Sequence, residues 1–202
     1  GSVVIKDVPD NTTVFGNPAT ERGPDSCPMK SLPPRWQSYI ELTRLNRPIG
    51  IYLLLWPTLW ALWIAAEGWP GWHLFLVFTL GTVLTRSAGC IVNDVTDRQF
   101  DGSIKRTRDR ALVVGKIGPL EATILAAGIT CLALLLVLTT NLLTVALSAA
   151  ATLIALIYPF MKRYTYLPQA ILGIAFSMGI PMAFSATTGQ IASIAWLVLT
   201  AN

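Results

Sequence analysis

Between positions 93 and 110 the sequence reads NDVTDRQFDGSIKRTRDR, an asparagine and three aspartates at helical spacing interleaved with and followed by arginine and lysine. On an α-helix Asn93, Asp97 and Asp101 form an i, i+4, i+8 row, with Asp94 three residues before Asp97 and seven before Asp101. Three carboxylates therefore share one face. Like charges at that spacing repel, more strongly as the dielectric falls near a membrane, and a divalent cation reverses the sign. Carboxylate and amide oxygens with no sulfur or imidazole nearby are hard ligands that favour magnesium, and few protein ligands leave positions for water and substrate phosphate. Asn93, Asp94, Asp97 and Asp101 are thus candidate metal ligands, and the three aspartates candidate catalytic groups. The plainer alternative is a solvated acidic helix end.

Two sets of cations argue for the ligand site. Arg86 lies seven residues before Asn93, two helical turns back on the same face, within an apolar stretch where an arginine is a functional candidate by default. Its plain alternative is snorkelling to the surface. Lys105, Arg106, Arg108 and Arg110 follow the aspartates closely, and such donors match phosphate oxygens, arginine in bidentate fashion and lysine as a point charge. Lys162 and Arg163 fall on the same side of the membrane and would join the cluster if the second and fourth spans adjoin. The chemistry suggested is the handling of a metal-bound diphosphate.

The elements that must carry these residues follow from composition. Hydrophobic residues make up 53% of the 202-residue chain and charged ones only 13%, the mean hydropathy is +0.56, and a soluble domain of this length is far more polar. Uninterrupted apolar stretches run over about 49–66, 72–92, 118–138, 142–160 and 167–187, and a sixth opens near Ile191 and stops at Asn202. Lipid offers no partner for backbone polar groups, and these stretches lack the alternation of barrel strands, so helices are expected. The fold class is an all-α polytopic transmembrane bundle with five complete spans and a truncated sixth.

Basic residues set the orientation. They precede the first span at Lys30, Arg35, Arg44 and Arg47, fill 98–116 after the second, and recur at Lys162 and Arg163 after the fourth; the other connections, EGWPG, TTN and TTGQ, hold only Glu67. The positive-inside rule places the N-terminus and the Asp-rich loop in the cytoplasm. Trp56, Trp60, Trp63, Trp69 and Trp72 gather around the first external turn as an interfacial belt. The net charge of +4 is a topology signal that calls for the lipid bilayer as partner and no nucleic acid. Cys27, Cys90 and Cys131 are too scattered for a zinc site or a disulfide framework, and the lone His73 is an interfacial residue without a role.

Residues 1–20, GSVVIKDVPDNTTVFGNPAT, differ from everything after them, with short β-branched runs broken by turn signals. SVVIKDVPDNTTVFGNPA resembles the closing segment of hexapeptide-repeat acyltransferases. A lone coil of that architecture has no neighbour to stack on, so no acyltransferase activity is carried over. Residues 1–34 are expected to be an extraneous or disordered segment with a proline-marked linker, and 35–202 a membrane domain. Gly1 at the start and Asn202 inside an apolar run lead to the expectation of a fragment or fusion.

RLNRPIGIYLLLWPTLWALW, RSAGCIVNDVTDRQFD and YPFMKRYTYLPQAILGIAFSMGIPMAF together resemble the 4-hydroxybenzoate polyprenyltransferases of the intramembrane aromatic prenyltransferase superfamily, over about residues 36–202. The resemblance implies nine helices around a central cavity and two Asp-rich motifs that hold a polyprenyl diphosphate through magnesium; Asn93, Asp94, Asp97 and Asp101 match the first. It implies prenylation of 4-hydroxybenzoate ortho to its hydroxyl, in ubiquinone biosynthesis. The acceptor's carboxylate needs a cation, for which Arg44 and Arg163 are candidates.

The sequence departs from the family pattern in RALVVG at 110–115, where RPLxxG is usual, which is expected to loosen the cytoplasmic loop. The second Asp-rich motif is expected beyond the sixth span, so the chain alone is expected to be inactive. A prenyltransferase for homogentisate, a naphthoate or haem, and a non-enzymatic membrane bundle, remain alternatives. The absence of an Arg-rich transit segment favours a bacterial inner membrane over a mitochondrial one.

Overall fold

The computed structural model describes residues 13–15, 20–22, 33–101, 107, 110–161 and 168–202. The chain divides into two compact units, Gly1–Gln37 and Ser38–Asn202. In the first, β1 (Thr13–Phe15) pairs antiparallel with β2 (Thr20–Arg22), Thr13 opposite Arg22. The remainder of the expected linker up to Leu32, including Cys27, lies outside the described residues.

Every other described element is helical, and the apolar stretches become the helices that lipid demands. They are α1 (Pro34–Leu42), α2 (Ile49–Ala65), α3 (Trp72–Asp101), α4 (Pro119–Val137), α5 (Leu142–Met161), α6 (Pro168–Ser177), α7 (Gly179–Thr188) and α8 (Ser193–Ala201). Trp72–Arg98, Pro119–Val137 and Gln169–Thr188 are long and apolar enough to cross a membrane, and Ile49–Ala65 and Leu142–Tyr158 are shorter apolar helices. Large side chains stand outward, Leu120 at 72% exposure and Leu142 at 84%, while alanines fill the interior. That inside-out distribution suits a solvent as apolar as the side chains themselves.

The fifth expected span is two helices. Pro181 has no N–H to give the Ser177 carbonyl, and its ring crowds that carbonyl, so the ladder is interrupted at Met178 between α6 and α7. The second span, by contrast, runs past 92 without a break, carrying the whole acidic row on one helix of 30 residues.

Packing is organised as two dry clusters. At one end Ala61 and Leu62 of α2, Val77 and Phe78 of α3, Ile180, Ala183 and Phe184 of α7, and Ala195 of α8 are buried together. At the other, Leu42 of α1 meets Ile91 of α3, Ala111, Leu112 and Ile117 of the loop, and Ala122 and Ala126 of α4. Beside the first cluster the tryptophan belt forms a chain of ring contacts, Trp63 to Trp69 at 5.4 Å and Trp69 to Trp72 at 4.9 Å. His73, assigned no role from sequence, is within hydrogen-bond distance of Thr139 at 3.0 Å and ties the first turn of α3 to the α4–α5 turn. Asn141 holds α5 to α7: its amide nitrogen donates to the Ser185 carbonyl, and its oxygen accepts from the Thr144 N–H and hydroxyl.

α2 and α7 cross at Gly179, where a methyl group would come within 2.3 Å of Thr58 Oγ1. That hydroxyl donates to the Leu54 carbonyl at 2.8 Å, and its β-branched side chain has little freedom to turn away in a helix. Gly179→Ala gains up to about 1 kcal/mol of helix propensity against about 1–3 kcal/mol of overpacking. The expected result is a net loss of stability in equilibrium unfolding, largely reversed when Thr58→Ala is added, since neighbouring substitutions couple.

Candidate functional site

α3 runs the length of the bundle and delivers the acidic row beside a cavity. Its last turn ends in Asp101, whose negative charge is unfavourable at a helix C-terminus. The structure compensates it: Arg110 Nη1 donates to Asp101 Oδ2 in a short contact, and the Thr107 hydroxyl donates to the Asp101 carbonyl at 2.8 Å.

The 110–117 turn that holds Arg110 is well fixed. Val113 and Val114 N–H donate to the Arg110 carbonyl, and Lys116 and Ile117 N–H to that of Ala111. Gly115 takes a φ of +80°, which a side chain would strain. Ala111, at the position where proline is usual, and Leu112 are buried against α1 and α4. Pro119 at the first turn of α4 and Glu121 beside it start the next helix favourably. Glu121 also accepts from the Tyr39 hydroxyl of α1.

Asp94 is the centre of the arrangement. It is 4% exposed and is met by two guanidinium groups. One terminal nitrogen of Arg44 reaches both of its oxygens at 3.1 Å, and Arg110 Nη1 lies 3.0 Å from Oδ1. Arg44 sits at the end of α1 with a φ of +60°, a left-handed conformation that costs a non-glycine residue about 1 kcal/mol or more. The backbone there turns to aim the side chain at Asp94.

A cavity of about 680 Å³ opens beside this cluster, between the two dry cores. Arg44, Arg47, Arg86, Asn93, Asp94 and Arg110 supply its charged and polar wall, and Leu53, Leu54, Val77, Phe78, Leu134, Val137, Leu156, Phe176 and Met182 its apolar remainder. The Arg86 guanidinium lies 5.7 Å from the centre of the Phe176 ring. A methyl group on Gly50 would come within 2.7 Å of Arg86 Nε, so the glycine is what lets α2 pass this close.

The structure thus brings Asn93, Asp94, Arg44 and Arg86 to one cavity wall. Asp94 and Asp101 share Arg110, as their seven-residue spacing allows, while Asp97 is half-buried on the same helix. Arg44, considered for an acceptor carboxylate, is engaged by a carboxylate of the chain itself. Lys105, Arg106, Arg108, Lys162 and Arg163 lie outside the described residues. Among the described residues no three His, Cys, Asp or Glu side chains converge as a metal cage, and Cys90 and Cys131 are free. The donor types nevertheless suit a hard cation: the buried oxygens of Asp94 already accept two positively charged partners, and Asn93 lines the same wall. Sequence reasoning placed Arg110 only in a general basic cluster and did not single out Phe176 or Gly50. An arginine 16 residues after its acid, and a glycine before an apolar run, carry no short-range signal of such contacts.

The profile of the UbiA prenyltransferase family matches residues 54–202. The chain belongs to that family. A 4-hydroxybenzoate octaprenyltransferase of Albidiferax ferrireducens is 54% identical over 177 residues, which cover 88% of this chain and 60% of that protein. The enzyme of the same name from Azotobacter vinelandii is 56% identical over 174 residues, 86% of this chain and 59% of its own. This chain therefore spans about 60% of the length of these curated relatives. Among solved structures, the apo form of a UbiA homolog from Aeropyrum pernix K1 superposes with a TM-score of 0.65 at 26% identity, over 75% of this chain and 57% of that one. A UbiA homolog from Archaeoglobus fulgidus bound to GPP and Mg2+ shares the fold with a TM-score of 0.67 at 16% identity, over 80% and 58%. The family and the apolar helices make this a multi-pass membrane protein.

Because Arg44 and Arg110 keep 29% and 22% side-chain exposure, removing the charge of Asp94 is expected to destabilise by less than a fully buried pair would, about 1–3 kcal/mol for Asp94→Asn. Equilibrium unfolding in detergent of Asp94→Asn beside Asp97→Asn measures it, with the larger loss at Asp94.

Proposed function

We propose that this chain carries the diphosphate-binding half of a magnesium-dependent aromatic prenyltransferase that transfers a polyprenyl group from its diphosphate to 4-hydroxybenzoate, ortho to the hydroxyl. The observation that carries the reading is the Asn93, Asp94, Asp97, Asp101 row beside a largely apolar cavity with Arg86 on its wall. Relatives more than half identical and named for that reaction support it, as does a structural neighbour bound to GPP and Mg2+.

The leaving diphosphate develops negative charge as the allylic carbon–oxygen bond breaks, and the need is for preorganised cations at its oxygens. Magnesium held by Asn93, Asp94, Asp97 and Asp101 supplies that neutralisation when bound. Arg86, Arg110 and the basic residues Lys105 and Arg106 add donors for the phosphate oxygens. The apolar wall of Leu53, Phe78, Leu134 and Met182 accommodates the prenyl chain and excludes water, which would otherwise trap the allylic cation as an alcohol. Of the two candidates for the acceptor carboxylate, Arg44 is engaged by Asp94, which leaves Arg163 as the cation proposed for that role, while Lys162 stays a candidate for the substrate site. The ring carbon ortho to the phenol attacks, the bond to the prenyl carbon forms as diphosphate leaves, and the ring loses a proton.

The distribution of basic residues supports a cytoplasmic N-terminus and Asp-rich loop, and the bacterial relatives favour the inner membrane. Residues 1–34 are assigned no part in the reaction.

Ligand binding tests the reading directly. Magnesium with geranyl diphosphate is expected to raise the unfolding midpoint of the protein, a saturating ligand at 100 times its Kd adding about 2.7 kcal/mol; Asp97→Asn or chelation removes the shift. No shift with the wild-type protein points to a non-enzymatic bundle. In a chain extended to the length of its relatives, competition among 4-hydroxybenzoate, homogentisate and a naphthoate identifies the acceptor by the prenylated product.

A further inference from the structure

Asp94 is assigned to a metal site, yet in the structure it is taken by two arginines. Arg44 reaches it from α1, 50 positions earlier, and Arg110 from the turn after α3, 16 positions later. Arg44 holds this contact from a left-handed backbone at φ +60°, a position at the end of a helix where glycine would be at ease. A strained backbone persists where its surroundings determine it, and here the determinant is a buried carboxylate. Arg44 also precedes the segment, 54–202, that the family profile matches.

We propose that Arg44 and Arg110 form a resting clamp on Asp94 that a metal-bound diphosphate opens, with Arg44 as the positioning residue. This rests on the proposed function above. In the resting state the two guanidinium groups neutralise Asp94 and Asp101 and dock both the α1–α2 corner and the 110–117 turn on the end of α3. A divalent cation alone must displace a guanidinium that then has no acceptor, so it binds poorly. A cation arriving with diphosphate brings phosphate oxygens that take over the released donors, and both guanidinium groups already line the cavity where those oxygens would lie. The clamp therefore couples metal to diphosphate: each raises the other's affinity by the same factor, because binding linkage is reciprocal. It also spares the empty site the repulsion of unpaired carboxylates at its mouth.

The test uses the whole chain in lipid nanodiscs, Mn2+ as the paramagnetic probe of the metal position, and inorganic pyrophosphate as the diphosphate. Mn2+ affinity is measured by electron paramagnetic resonance with and without pyrophosphate, in the wild-type protein, Arg44→Gly and Arg110→Gln. Arg44→Gly suits the φ of +60°, and Arg110→Gln opens the clamp from its other side should the first variant misfold. The expected result is that, without pyrophosphate, Arg44→Gly binds Mn2+ at least about fivefold more tightly than wild type, because the competing state is removed. The gain disappears in the Arg44→Gly, Asp94→Asn double variant, and the enhancement of Mn2+ binding by pyrophosphate shrinks in Arg44→Gly. Equal or weaker Mn2+ binding in folded Arg44→Gly and Arg110→Gln, with pyrophosphate enhancement intact, overturns the clamp and leaves the proposed function standing. Failure of every form to bind Mn2+, with or without pyrophosphate, overturns both.

Discussion

A carboxylate with 4% exposure at the end of a membrane helix is stable only beside positive charge, and the polar half of this structure is arranged around that requirement. Desolvation of an unpaired ion costs several kcal/mol even after relaxation. Asp94 therefore fixes where Arg44 and Arg110 must be, and they in turn fix the segments that carry them. The corner after α1 adopts a left-handed residue to reach it, and the turn after α3 buries Ala111, Leu112 and Ile117 so that Arg110 is held in place. The second dry cluster is the apolar support of this ion network.

The opposite end is organised by different physics. There the contacts are uncharged: rings packed edge to face in the tryptophan belt, the His73 and Thr139 pair, and the Asn141, Thr144 and Ser185 network. In lipid, apolar side chains gain little by meeting one another, so small residues and hydrogen bonds must locate the helices. Gly179 against Thr58 and Asn141 against α7 do so. The cavity lies where the two meet, with Arg44, Asp94 and Arg110 on one part of its wall and Val77 and Phe78 on another.

The helices were legible because a membrane permits few alternatives: apolar stretches of sufficient length had to become helices, and they did so close to the expected limits, save that α3 continues past 92 to Asp101 and the fifth stretch is broken in two. The break at Met178 was legible in principle from Pro181, whose missing N–H acts four residues earlier, but a hydropathy pattern averages over it. The acidic row was legible because Asn93 to Asp101 lie on one helix, where spacing alone determines the face. Arg86 was legible for the same reason. What spacing cannot convey is contact between helices. The pairing of Arg44 with Asp94, the approach of Gly50 to Arg86 and the ring of Phe176 above that guanidinium depend on how α1, α2 and α6 lie against α3, which no periodicity within one segment encodes.

That difference bears on how positive charge in such a sequence should be interpreted. Basic residues at the ends of membrane spans commonly serve topology, and Arg44 and Arg110 flank such spans. The structure separates the roles by burial and partner: an arginine that only orients a helix has its head in water, whereas these two are directed inward onto an acid that cannot do without them. The same guanidinium groups line a cavity whose remaining wall is largely apolar. A site built this way carries its own counter-charge before any ligand arrives, and under the proposed clamp an incoming anion takes over donors already in place, without new charge being created inside the membrane. Such an exchange needs little reorganisation, which is the condition under which electrostatic stabilisation of a departing diphosphate is most effective.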